Sequence, residues 1–189
     1  MRGPLRAVAA TEGMVSMEEA ETLYRLAGEA EDGCIVEVGS FRGRSTVALA
    51  LGSLNGHGVP VYAVEPHEEF EGMWGFRFGP EDRAAFYRNM LRTGCYQVVR
   101  LVNLSSEVVA PGWNRPISFL YIDGDHSYEG AKRDFGSWAP HVRSDGAIGF
   151  DDAANPNLGP YRLIQELVAS GEYVEVESVG ELRVLRRRA

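Results

Sequence analysis

Short apolar runs rich in β-branched residues alternate with helical patterns along this sequence. Five of the runs have the character of buried strands: Cys34–Val38, Val61–Val64, Val98–Val102, Ile117–Ile122 and Ala147–Phe150. Between them, apolar residues recur three and four positions apart, which is the spacing of one helix face. Repeated strand–helix units predict an α/β fold with a mostly parallel sheet, right-handed crossovers and helices on both faces.

Several helices have recognisable beginnings. One is predicted between Met14 and Ala30, where Ser16 is the cap and Glu19 completes a capping box. Others are predicted at Ser45–Leu51 before Gly52, at Glu81–Leu91, after the cap Ser127, and around Leu163–Val168.

The end of the chain departs from this alternation. Tyr173–Val179, the pair Gly180-Glu181 and Leu182–Leu185 read as two strands joined by a tight turn, which predicts an antiparallel hairpin. A length of 189 residues fits one domain, so residues 1–189 are predicted to form a single domain.

Composition and charge exclude several classes of function. The formal net charge is −8, which argues against nucleic acid or an anionic membrane as the main partner. No apolar run reaches the roughly 18 residues of a membrane-spanning helix. Only Cys34 and Cys95 are present, which suggests no disulfide framework. We therefore expect a cytoplasmic protein.

A glycine-containing turn follows the first predicted strand. In Ile35–Ser45, Glu37, Gly39 and Gly43 form the pattern E-x-G-x-x-x-G. A dinucleotide site would need G-x-G-x-x-G, so this turn disfavours a nicotinamide or flavin cofactor. The plainer alternative is that the glycines only make a tight turn between a strand and a helix.

Polar residues also follow the second and third strands. Glu65 ends the second strand, 26 residues after Gly39, where an acidic side chain can accept hydrogen bonds from ribose hydroxyls. Ser105 and Ser106 follow the third strand. The alternative is that Glu65 is only a solvated residue at the end of a strand. His67, two residues further on, is expected in a surface loop.

Carboxylates follow the fourth and fifth strands. Asp123 comes directly after one strand, and the pair Asp151-Asp152 comes after the next. Carboxylates gathered at neighbouring strand ends repel one another unless a divalent cation or a proton lies between them. His126 is three residues past Asp123, close enough to act as a base. Alternatively, the pair starts a turn and His126 bonds only to backbone.

In this order, the motifs resemble those of class I S-adenosylmethionine (SAM)-dependent methyltransferases. The resemblance implies a Rossmann-like, seven-stranded sheet of order 3-2-1-4-5-7-6, with SAM as cofactor. It also implies that the N-terminal helical segment, residues 1–32, closes over the cofactor. The cofactor-binding residues that it implies are Glu37, Gly39, Ser40, Gly43, Ser45, Glu65, Ser105, Ser106 and Asp123.

The motifs Asp123-x-x-His126 and Asp151-Asp152 resemble those of metal-dependent O-methyltransferases. The macrolide-sugar and cephalosporin-biosynthesis groups are the most similar, and the catechol type is more distant. The resemblance implies Mg²⁺ or another divalent cation held by Asp123, Asp151 and Asp152, with His126 as general base. The acceptor would be a small hydroxylated molecule. The alternatives are a metal-independent methyltransferase of the same fold, or a non-catalytic SAM- or nucleotide-binding module.

Two segments are candidates for the acceptor side. Glu68–Gly79 spaces five large apolar residues between glycines, too irregularly for a helix face or a strand. It is predicted to be a lid, a self-association surface that would give a homodimer, or an Ω-type loop packed on its own aromatic residues. Ala153–Tyr161, after the acidic pair, is the second candidate wall.

Overall fold

Seven strands form the main sheet of the computed structural model, which describes residues 3–72 and 75–188. They are β1 (Cys34–Val38), β2 (Val61–Val64), β3 (Val99–Val102), β4 (Ile117–Ile122), β5 (Val142–Phe150), β6 (Tyr173–Val179) and β7 (Leu182–Arg187). A separate pair of two-residue strands, Phe70–Glu71 and Arg77–Phe78, is antiparallel. It is left out of the strand numbering.

The sheet order is β3-β2-β1-β4-β5-β7-β6. Strands β1 to β5 are parallel to one another, whereas β7 runs antiparallel to both β5 and β6. The predicted fold class, strand order and C-terminal hairpin are therefore confirmed. Because β1 to β5 are parallel, their carboxyl ends meet at one edge, where ligands bind in open α/β sheets.

Helices cover both faces of the sheet. They are α1 (Gly3–Ala9), α2 (Met17–Gly28), α3 (Arg44–Asn55), α4 (Pro80–Thr93), α5 (Ser106–Val109), α6 (Tyr128–Trp138) and α7 (Gly159–Ala169). One apolar cluster holds Leu23 of α2 and Val47 of α3, and the other holds Trp138 of α6 and Ile164 of α7. No helix in the described part of the chain is both long and apolar enough to cross a membrane.

The predicted capping box of α2 is confirmed, and it has a second role. The Glu19 backbone N–H donates to Ser16 Oγ at 3.3 Å, and the Ser16 N–H donates to Glu19 Oε2 at 2.7 Å. The other oxygen, Glu19 Oε1, accepts from the backbone N–H of Glu181 at 2.6 Å. The start of α2 is therefore bonded to the turn of the C-terminal hairpin.

Several element boundaries differ from the prediction. Helix α3 does not stop at Gly52 but continues to Asn55, and a Cβ at Gly52 would lie 2.0 Å from the Tyr24 carbonyl oxygen. Gly52 therefore permits close packing of α2 on α3. Strand β5 begins at Val142, before the predicted Ala147, since polar residues at its exposed start hid the pattern. Helix α1 lies inside the N-terminal segment that the resemblance implies to be helical, residues 1–32, but its bounds were not predicted.

Candidate active site

A cavity of about 580 Å³ lies at the carboxyl ends of the parallel strands. It brings together most of the predicted site residues: Gly39, Ser40, Ser45, Glu65, Ser105, Ser106, Asp123, His126, Asp151 and Asp152. Gly13, Met14 and Val15 of the N-terminal segment line it as well. Glu37 and Gly43 are not among its lining residues.

The two glycines of the first motif have different roles. Gly39 has a φ of 82°, and a Cβ there would lie 2.0 Å from the Asp123 carbonyl oxygen. Gly39 thus lets the loop after β1 press against the loop after β4. Gly43 has a φ of 92° and precedes α3, and its Cβ would lie 2.8 Å from Met90 Cε. It serves the turn and the packing under it, and its predicted cofactor contact stays a prediction.

Glu37 is fully buried in β1, where its carboxylate accepts from the Thr46 hydroxyl. The side chain is enclosed by protein and does not line the cavity, and its predicted role at the cofactor stays a prediction. Burial raises the pKa of Glu37 from its ordinary value of 4.5 to about 7.

This pKa predicts how stability depends on pH. An acid with a raised pKa in the folded state favours folding when it is protonated, so its contribution falls as pH rises from about 4.5 to about 7. Glu37→Gln should remove that fall and gain roughly 3 kcal/mol over the wild type near pH 8. Urea unfolding between about pH 5 and pH 8 measures the difference. The exposed Glu129→Gln is the control, and a gain independent of pH would contradict the assignment.

Glu65 joins the loops after β1 and β2. Its Oε2 accepts from the backbone N–H groups of Ser40 at 3.1 Å and Phe41 at 3.2 Å. Its Oε1 accepts from the backbone N–H of His67 at 2.9 Å. Glu65 lines the cavity at the end of β2, the position expected from the sequence.

His67 lies in the same network, contrary to the surface loop that was expected from the sequence. It is only 4% exposed, and its Nε2 lies 2.8 Å from the Phe41 carbonyl oxygen. Its φ of 50° and the φ of 45° at Phe41 are left-handed. Such strain is costly outside glycine and clusters at functional sites. The position of His67, only two residues after Glu65, is the sequence signal that could have placed it at the site.

The carboxylates after β4 and β5 meet around His126. Its Nδ1 lies 2.6 Å from Asp152 Oδ2, and its Nε2 lies 3.6 Å from Asp123 Oδ1. Asp152 has a φ of 50°, a third left-handed residue at the cavity. A proton on Nδ1 would bond to Asp152 and leave Nε2 as the acceptor nitrogen.

The electrostatics at this end of the cavity favour bound protons. Burial, and after it the charge of Asp151, holds the pKa of Asp123 well above its ordinary value. Burial and the charge of Asp152 raise the pKa of Asp151 to about 6. Burial alone would lower the pKa of His126, but Asp152, Asp151 and Asp125 more than offset this and raise it. A positive group would relieve the crowded negative charge.

Carboxylate oxygens are the donors that Mg²⁺ prefers, so the chemistry of Asp123, Asp151 and Asp152 fits a hard divalent cation. Their arrangement is less suited to one. Within residues 3–72 and 75–188, no three His, Cys, Asp or Glu side chains are placed to hold a metal ion together. Asp152, predicted to be a ligand, contacts His126 instead.

Part of the segment Glu68–Gly79 forms one wall of the cavity. Phe70, Phe76 and Phe78 line it, and the ring of Phe78 packs edge-on against Phe41 with centroids 5.2 Å apart. Phe70 and Phe76 remain more than half exposed. Met73 and Trp74, which belong to the predicted lid, lie outside the described residues.

No residue of Ala153–Tyr161, the second candidate wall, lines the cavity, so its role at the acceptor stays a prediction. The Ala153 N–H donates to the Glu181 carbonyl oxygen, and the Gly159 N–H donates to the His126 carbonyl oxygen, both at 2.9 Å. A Cβ at Gly159 would lie 2.2 Å from the Tyr128 nitrogen. The segment is thus held at both ends against neighbouring backbone.

Comparison with known proteins agrees with this geometry. The sequence profile of a family described as a methyltransferase domain matches residues 36–153. Rv0187 from MTB, solved with its cofactor, is 19% identical, with a TM-score of 0.72 over 98% of this chain and 88% of that one.

Two further solved structures are O-methyltransferases. TomG of Streptomyces achromogenes, involved in tomaymycin synthesis and solved with SAM, is 15% identical. Its TM-score is 0.71 over 100% of this chain and 91% of that one. The Bacillus cereus enzyme, solved with S-adenosylhomocysteine (SAH), is 18% identical, with a TM-score of 0.69 over 99% and 92%. These likenesses show the fold of SAM-dependent methyltransferases. Since the family profile spans more than half of the chain, this protein belongs to the methyltransferase-domain family.

Proposed function

We propose that the protein is a SAM-dependent O-methyltransferase that transfers a methyl group to a hydroxyl of a small molecule. The observation that carries the proposal is the contact between His126 and Asp152. Both line the same cavity as the loop after β1. The O-methyltransferase activity of TomG and of the Bacillus cereus enzyme supports the same reaction.

The cofactor would extend across the loops after β1, β2 and β3. Glu65 has one acceptor site left, on Oε1, for a ribose hydroxyl, since a carboxylate can accept about four hydrogen bonds and three are already made. Gly39 and Ser40 would lie beside the methionine part of SAM, and Ser105 and Ser106 would lie beside its adenine. Gly13 to Val15 line the cavity, which supports closure of residues 1–32 over the cofactor.

The reaction would be a direct displacement. His126 Nε2 takes the proton of the acceptor hydroxyl, while Asp152 holds the imidazole by Nδ1. The oxygen forms a bond to the methyl carbon as the carbon–sulfur bond breaks, and SAH is released. Holding oxygen, carbon and sulfur in line supplies much of the acceleration.

We propose in addition that Mg²⁺ binds Asp123, Asp151 and Asp152. The crowding of these carboxylates and the raised pKa values of Asp123 and Asp151 support a positive charge there. Bound Mg²⁺ would lower the pKa of an acceptor hydroxyl. Without a metal, the contact between Asp152 and His126 would still position the base, which is the metal-independent alternative. The cytoplasmic location and the homodimer stay predictions from the sequence.

Calorimetry tests the cofactor. SAM and SAH should bind with dissociation constants in roughly the micromolar range, whereas NAD should not bind. The physical reason for this difference in affinity is the turn after β1, which lacks the glycine pattern of a pyrophosphate site and suits a ligand without phosphate. Binding of NAD without binding of SAM would reject the proposed function.

Removal of metal tests the cation separately. If Mg²⁺ takes part, EDTA should lower turnover by roughly tenfold or more, and added Mg²⁺ should restore it. Asp151→Asn should cause a similar loss, because it removes a charged ligand, while SAM affinity stays the same. Turnover that is unchanged by EDTA would leave the His126–Asp152 mechanism and reject the metal.

A further inference from the structure

The charges of the cavity are strongly one-sided. Eleven of its described lining side chains are Asp or Glu, whereas only Arg44 and Arg133 are permanent cations. Arg133 is already paired, since its Nε lies 3.2 Å from Glu107 and its Nη2 lies 3.8 Å from Asp125. Arg44 makes no such ion pair with any residue that the structure describes. An anionic group of a ligand is therefore best accommodated beside Arg44.

The Arg44 side chain is held in place by the N-terminal segment. Its Nη1 donates to the Gly13 carbonyl oxygen at 3.1 Å. A Cβ at Gly13 would lie 2.4 Å from Arg44 Cβ, so the backbone there rests directly on the arginine. The Nε–H is buried and has no acceptor among the described residues. A buried donor without an acceptor is costly, so an acceptor from a ligand is expected at this edge of the guanidinium.

Ser40 supplies an independent indication of a ligand at the same wall. It is only 3% exposed, lines the cavity, and its Oγ lacks a hydrogen-bond partner in the described structure. A turn closed by the Gly43 N–H and the Ser40 carbonyl oxygen, at 2.7 Å, brings Ser40 back toward the start of α3. Arg44 is the first residue of that twelve-residue helix, whose N-terminal N–H groups favour an anion.

We infer that Arg44, assisted by Ser40, binds the carboxylate of the amino-acid end of SAM. This inference rests on the proposed function, because it takes SAM as the ligand. The carboxylate is the only anionic group of that cofactor. With Nη1 bonded to Gly13, the edge formed by Nε and Nη2 would be left to pair with a planar carboxylate in a bidentate arrangement. Arg44 thereby selects a cofactor with an intact amino-acid end and fixes which way the cofactor lies.

Calorimetry with two ligands tests the assignment on the intact chain. The ligands are SAH and its decarboxylated analogue, S-adenosyl-3-thiopropylamine, which lacks only the carboxylate. Wild type should bind the analogue roughly 10- to 100-fold more weakly than SAH. Arg44→Gln should weaken SAH binding by a similar factor and the analogue hardly at all. Arg44→Lys should recover part of the lost SAH affinity.

The control is Arg133→Gln, which removes the other cavity arginine and should leave the preference for SAH intact. Thermal unfolding checks that each variant is folded. If wild type binds SAH and the analogue equally, or if Arg44→Gln weakens both by the same factor, the assignment to Arg44 is wrong. If folded wild type binds neither ligand, the proposed function fails as well, so the two failures can be told apart.

Discussion

Replacing His126 by Ala is expected to lower kcat by roughly 100-fold or more, while the affinity for SAM stays the same. His126 contacts Asp152 and Asp123 at the ends of β5 and β4, away from the carboxylate of Glu65 and its network. Loss of the imidazole removes the proton acceptor but none of the proposed cofactor contacts. Methyl-transfer kinetics with a hydroxylated acceptor, together with SAM calorimetry, measure the two effects separately.

Two further variants make this prediction specific. Asp152→Asn should lower kcat less than His126→Ala, since it weakens the hold on the imidazole without removing it. His57→Ala, at an exposed position after α3, should leave kcat unchanged. If His126→Ala turns over at the wild-type rate, His126 has only a structural role and the proposed base is wrong.

Replacing Glu65 by Ala is expected to weaken SAM binding by roughly 100-fold. The carboxylate accepts hydrogen bonds from three backbone N–H groups, those of Ser40, Phe41 and His67, and is proposed to accept one from a ribose hydroxyl too. Hydrogen bonds to a charged group are each worth about 1.5–3 kcal/mol, and removing the acceptor also leaves donors unpaired. Calorimetry gives the loss in affinity, and thermal unfolding gives any cost to the fold.

The neighbouring Glu68 provides a matched control. It also lines the cavity and is exposed, so Glu68→Ala should change SAM affinity little. Glu65→Gln keeps one acceptor oxygen and should bind SAM with intermediate affinity. If Glu65→Ala lowers thermal stability but binds SAM as tightly as the wild type does, Glu65 supports the loops without touching the cofactor.

The strands could be predicted from the sequence because each is a short apolar run bounded by polar or glycine residues. Cys34–Val38, Val61–Val64 and Ile117–Ile122 have the predicted bounds. The order of the strands came only from the family resemblance, since spacing does not encode which strands pair. The burial of the Glu37 side chain could not be predicted. All five residues of β1 are buried, so no alternation of apolar and polar residues distinguishes the two faces of the strand.

The candidate site was predicted by position more reliably than by contact. The strand-end residues Glu65, Asp123 and Asp151 all line one cavity, as parallel topology requires. The contacts within the site depend on backbone geometry that residue type does not reveal. Asp152 and His67 both take left-handed φ values, which non-glycine residues seldom adopt. With these φ values, Asp152 contacts His126, and His67 lies inside the hydrogen-bond network of Glu65.

The fixed segment between Ala153 and Gly159 bears on how enzymes of this design could diversify. Hydrogen bonds to Glu181 and to His126 anchor its two ends, so changing its length would disturb the residue proposed as the base. The hairpin that carries Phe70 and Phe78 has no such tie to His126 among the bonds seen here. New acceptor preferences should therefore arise by exchange of residues 68–79, with the chemistry inherited unchanged.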